Sequence, residues 1–141
     1  MIKDGVPATG RVTFILNGKE VAQDNLVVTL GKQWIAKRMA NQGTVATHIG
    51  IGSSATAAAL GDSALGAQLA RVAMSVAGGT VSGATVTYSA TFGAGVGTGS
   101  VQEAGLFDAA AAGTLIARTA GNVITKLAED VLTINWSITI N

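Results

Sequence analysis

The closing stretch of the chain limits the fold more than any other feature. Leu132, Ile134, Trp136, Ile138 and Ile140 alternate with Thr133, Asn135, Ser137, Thr139 and Asn141. Successive side chains of an extended strand point to opposite faces, so this segment reads as a strand with one apolar and one polar side. A helix cannot use the pattern, because a period of two scatters apolar groups around a 3.6-residue turn. Such a strand has to lay its apolar face on a second layer, which commits the chain to a layered β architecture. Val86, Tyr88, Ala90 and Phe92 alternate with threonines and a serine in the same way, as do Val12, Phe14 and Leu16 near the start. The pair Asn17-Gly18 that follows is a tight-turn signal. Further strands are expected over Asn25–Leu30, Thr47–Ile51, Arg71–Val76, Val101–Phe107, Thr114–Thr119 and Asn122–Lys126.

One helix is expected between Gly31 and Asn41, where Trp34, Ile35 and Met39 share an apolar stripe and Gly43 stands beyond as a terminator. The run Ser53–Ala70 is mostly Ala, Ser and Gly, with Leu60, Leu65 and Leu69 as its large apolar side chains. It reads as a long excursion with one helical turn near Leu65–Leu69, suited to lying on a neighbour. Short strands, frequent glycine turns and one helix together give a mainly β chain. The expectation is a single domain over 1–141, an antiparallel β-sandwich or jelly-roll-like fold with one short helix. Residues 1–8 are read as an extended N-terminal arm.

Composition narrows the function classes. Of the 141 residues 48% are hydrophobic and 12% charged, against a typical charged share of about 25%. A surface so short of charge points to partial cover by a partner. The net charge of +1, without any cluster of Lys or Arg, argues against nucleic acid. The absence of cysteine removes disulfides and thiolate metal sites. No apolar run approaches the ~20 residues of a membrane helix, and Met1–Pro7 does not read as a signal peptide. Assembly in a cytoplasm is the expectation.

Chemistry-bearing motifs are few. In Phe92–Ala109 the glycines 93, 95, 97 and 99 recur at every second residue and lead into a strand-like segment. A dinucleotide loop needs G-x-G-x-x-G opening a helix, so this run reads as a flexible hairpin connection and no cofactor is expected. His48 is the single histidine and lies in an apolar strand, and the eight carboxylates are scattered. Neither a triad nor a metal set is indicated. Glu103, among small and apolar residues, reads as a buried carboxylate paired with Arg71 or Arg118, because buried charges require partners. Trp34 and Trp136 read as core. No catalytic residue, metal or small-molecule substrate is assigned, and the chain is expected not to be an enzyme.

Several segments, taken in order, resemble a family of small structural proteins of tailed bacteriophages. They are Asn25–Met39, His48–Gly52, Leu65–Arg71, Val86–Phe92, Glu103-Ala-Gly-Leu-Phe-Asp108, Gly113-Thr-Leu-Ile-Ala-Arg118 and Asp130–Ile140. The resemblance implies a virion component without catalysis, a β-rich module used in many copies. It also implies that Glu103 meets Arg118 on the hairpin partner, that Gly105 lets a strand bend or pack closely, and that Leu106 and Phe107 face opposite sides. Two placements follow from it. One is a capsid decoration, or cement, protein that binds the major capsid protein on the outer capsid surface as a homo-oligomer, a trimer being favoured. The other is a tail-fibre or collar module that binds a receptor or a tail protein.

Overall fold

The computed structural model describes residues 8–141, apart from the side chains of Asn122 and Val123. The expected arm over residues 1–8 lies outside the described residues, except Ala8, which opens the first strand. In chain order the elements are β1 (Ala8–Leu16), β2 (Lys19–Asp24), β3 (Leu26–Val27), α1 (Thr29–Met39), β4 (His48–Gly52), β5 (Gln68–Ala73), β6 (Thr80–Ser82), β7 (Thr85–Phe92), β8 (Gly99–Phe107), β9 (Leu115–Lys126) and β10 (Leu132–Ile140). They form two five-stranded antiparallel sheets, β2-β1-β10-β7-β6 and β3-β9-β8-β4-β5. The architecture is a β-sandwich with one helix. Successive hairpins fall alternately in the first and the second sheet, and β10 returns to lie between β1 and β7.

The alternation in the sequence becomes the core. Val12, Phe14, Tyr88, Phe92, Ile134 and Trp136 of the first sheet meet Ile49, Ile51, Ala104, Leu106 and Ala117 of the second, all of them buried. Trp136 has no exposed surface. Trp34 is half-buried and packs against the same core from the helix. The Asn17-Gly18 turn takes positive φ at both residues, 52° and 77°, the geometry whose twist suits a two-residue hairpin.

Several boundaries differ from expectation. The strand expected over Asn25–Leu30 shrinks to β3, and the helix starts at Thr29 rather than Gly31. The cause is tertiary: Gly31 is pressed on the Ile116 carbonyl, where any Cβ would collide, and the Val28 amide donates to that same carbonyl at 3.2 Å. The expected helical turn at Leu65–Leu69 is absent, since Leu65 reaches down onto the second sheet and the chain enters β5 at Gln68. The strand expected over Arg71–Val76 therefore starts earlier and ends at Ala73. The two strands expected over Thr114–Thr119 and Asn122–Lys126 are one, β9. Residues of β2 and β6 form edge strands that the alternation does not announce.

The glycine run is not a hairpin. It carries the chain from β7 in one sheet to β8 in the other. Gly97 takes φ 74° and a side chain there would strike Ile51 of the core, so the crossing needs glycine for both conformation and space.

Candidate functional site

Four of the residues singled out in the sequence gather on the outer face of the second sheet. Along β8 the side chains of Ala104 and Leu106 enter the core, while Glu103, Gly105 and Phe107 face outward. Gly105 stands opposite Arg118 on β9 and Gly50 on β4, and Gly50 stands opposite Arg71 on β5. One row across four strands therefore reads Arg118, Gly105, Gly50, Arg71. Leu106 and Trp136 are not part of this face; they lie between the sheets.

The two glycines make the sheet thin at its middle. A Cβ at Gly105 would come within 2.9 Å of Leu65, Leu115 and Phe107 side-chain atoms, and one at Gly50 within 3.1 Å of Leu65. Leu65 fills the resulting notch and joins Val28, Phe107 and Leu115 in a second small core outside the sheet. The excursion after β4 is thus a strap laid over its own sheet.

Glu103 fastens that strap. Its Oε1 accepts from the Gly66 amide at 2.8 Å, and its Oε2 from the Ala67 amide at 2.8 Å and the Ser54 amide at 3.1 Å. Both ends of the strap therefore close on one carboxylate. Arg118 completes the knot, with Nε and Nη2 each 3.1 Å from Glu103 Oε1. Its Nη1 reaches Asp62 Oδ2 at 3.1 Å, and Nη2 donates to the Thr56 carbonyl at 2.9 Å. Glu103 is wholly buried and Arg118 nearly so. A buried charge is tolerated when its hydrogen-bonding capacity is used in full, and this one is met on both oxygens by protein donors. The arrangement binds chain to chain.

Arg71, the other candidate partner of Glu103, does different work. Its guanidinium sits 3.5 Å from the centroid of the Phe107 ring and donates to Gln68 Oε1 and to the Ala109 and Ala112 carbonyls. Burial lowers its pKa from the ordinary arginine value, and the Asp108 carboxylate acts in the opposite direction. Asp108 in turn accepts from the Thr114 amide at 2.7 Å and the Thr44 hydroxyl at 3.2 Å. Every residue of the Glu-Ala-Gly-Leu-Phe-Asp block has a position-specific contact: core, strap, notch or loop closure.

His48 is half-buried, with Nδ1 2.8 Å from the Thr47 hydroxyl. Among the described residues no three acidic or imidazole groups stand together as metal ligands, and no helix is long and apolar enough to cross a membrane. Lys126, fully buried, was not singled out in the sequence; its ammonium donates to the Gly93 carbonyl at 2.9 Å and ties down the glycine crossing. Asp62, Gly50 and Leu65 were missed as well. Gly50 had a signal, since a glycine between Ile49 and Ile51 marks a place where something approaches the strand closely. No protein-family model, curated protein or solved structure matches the chain.

Proposed function

We propose that the chain is a bacteriophage virion structural protein, a capsid decoration protein on the outer capsid surface that clamps neighbouring copies of the major capsid protein. One observation carries the reading. At the end of the sandwich where loops 93–98 and 127–131 meet, joined by the Gly95 amide to the Ala128 carbonyl at 2.6 Å, apolar side chains face outward. Val96 is 37%, Leu127 56% and Val131 49% exposed. Leu69 at the start of β5 lies beside Gly99 and extends the patch onto that strand. In a chain with 12% charged residues such a patch favours a covered state.

The neighbouring edge supports self-association. β2 is guarded by Lys19, Glu20 and Asp24, as exposed edges commonly are. Among the described residues β5 pairs only with β4, and its one charged side chain, Arg71, is spent on Phe107 and the loop after it. A closed homo-oligomer, with a trimer favoured at the local threefold positions of a capsid lattice, joins several modest contacts into a firm clamp. In this role the chain needs no cofactor, metal, nucleic acid or membrane, and it is assembled in the host cytoplasm.

The test mixes purified protein with undecorated expanded capsids and measures bound copies and heat resistance. Saturable binding at lattice stoichiometry, weakened by Leu127→Asp and Val131→Asp, is the expected result. Failure to bind, with labelling confined to the tail, moves the protein to a tail-fibre or collar module.

A further inference from the structure

We infer that the cleft beside Trp34 is a binding site for a single sugar ring. It lies at the opposite end of the sandwich from the apolar patch and does not depend on the placement proposed above. Gln33, Trp34 and Lys37 supply one wall from a single side of α1, and Thr44, Asp108 and Thr114 supply the other. The cavity measures about 180 Å³. That is below the roughly 300 Å³ at which pockets begin to hold drug-sized molecules, so the occupant is one small ring.

Part of the cleft is held in place before anything binds. The Trp34 indole donates from Nε1 to the Thr44 carbonyl at 2.8 Å, and Arg38 ties the turn after the helix through the Gly43 carbonyl at 3.0 Å. Asp108 is fixed by Thr44 and Thr114. A preorganised site spends less of its interaction energy on ordering.

The polar groups select the chemistry. Each Asp108 oxygen has one protein donor and keeps a second lone pair for a ligand. Lys37 and Gln33 also line the cleft, and their side chains make no hydrogen bond or ion pair within the described residues. Lys37 and Asp108 do not pair with each other. Asp108 on one wall only accepts and Lys37 on the other only donates, a pairing that suits adjacent hydroxyls, each of which donates to one side and accepts from the other. The part of Trp34 that lines the cleft offers apolar surface to the C–H groups of a pyranose. A simple anion would leave Asp108 opposed, and a simple cation would leave Lys37 opposed.

The experiment titrates the full chain with methyl pyranosides of gluco, galacto, manno and 2-acetamido configuration and follows the two indole N–H signals by NMR. Trp136 is buried in the core and serves as the internal control. Binding in the millimolar range that moves the Trp34 signal and leaves that of Trp136 in place is the expected result. Lys37→Ala combined with Gln33→Ala, both on the exposed side of the helix, should weaken binding at least about tenfold without changing the melting temperature, since surface substitutions cost little. The inference is overturned if no pyranoside at tens of millimolar moves the Trp34 signal, or if acetate or glycine moves it equally well.

Discussion

The outer faces of the two sheets solve the same problem in opposite ways. On the first sheet the outward side chains of the central strands β7 and β10 are small and polar, and several satisfy one another across the pair. The Thr85 and Thr139 hydroxyls are 2.7 Å apart, the Ser89 hydroxyl donates to Asn135 Oδ1 at 2.8 Å, and Thr91 and Thr133 are 3.2 Å apart. No layer of the described chain covers them. On the second sheet the outward positions hold Gly50 and Gly105 beside Glu103 and Arg118, and a strap and a helix cover them. The difference teaches what a strand's second face can be. Threonine makes a face that is finished by itself, whereas glycine thins the sheet and admits another layer. A layer that excludes water then requires its buried charges to be paired.

The sharpest way to break this comparison is Glu103→Ala. It strands the Arg118 charge and leaves the amides of Ser54, Gly66 and Ala67 without their acceptor. The expected loss is about 3–5 kcal/mol in urea unfolding. Adding Arg118→Met should recover part of it, because the two residues act as one unit. A Glu103→Ala protein that unfolds like the parent would mean that the knot does not hold the strap.

A smaller effect is expected at the notch. Gly105→Val forces atoms into the space of Leu65, Leu115 and Phe107, and overpacking of this kind costs about 1–3 kcal/mol. Leu65→Ala in the same protein should relieve part of the cost, and amide exchange at Gly66 and Ala67 should quicken in both variants. Equal stability of Gly105→Val and the parent would show that the strap does not need a thin sheet.

The first sheet should respond least. Thr133→Val removes a hydroxyl from a half-buried position whose partner Thr91 is exposed and can turn to water. Unfolding should shift by no more than about 0.5 kcal/mol. A loss as large as that of Gly105→Val would erase the contrast between the two faces.

Much of the fold was legible. The alternation in Leu132–Ile140 and Val86–Phe92 marked β10 and β7, and it put Trp136 inside, because a pleated strand sends every second side chain to the same face. Glu103 among small residues announced a buried charge in need of a partner, and of the two arginines weighed Arg118 is the one that meets it. The edge strands β2 and β6 were harder to see. Lys19, Glu20 and Asp24 dilute the pattern of β2, which the Asn17-Gly18 turn nevertheless aligns on β1.

The sequence by itself determined which residues alternate, hence which strands have a core face, because that property depends only on neighbours along the chain. It also determined that charge is scarce and that Glu103 had to be matched. Only the tertiary structure decided what covers the other faces. Gly50 and Gly105 come from distant parts of the chain, and they form a notch solely because β4 and β8 pair in a register that sets them opposite each other. The same pairing brings Leu65 over both and turns an alanine-rich run into a strap, while β9 presents the Ile116 carbonyl against which the helix starts. Covering a face is a property of register between remote strands, and no local pattern encodes it.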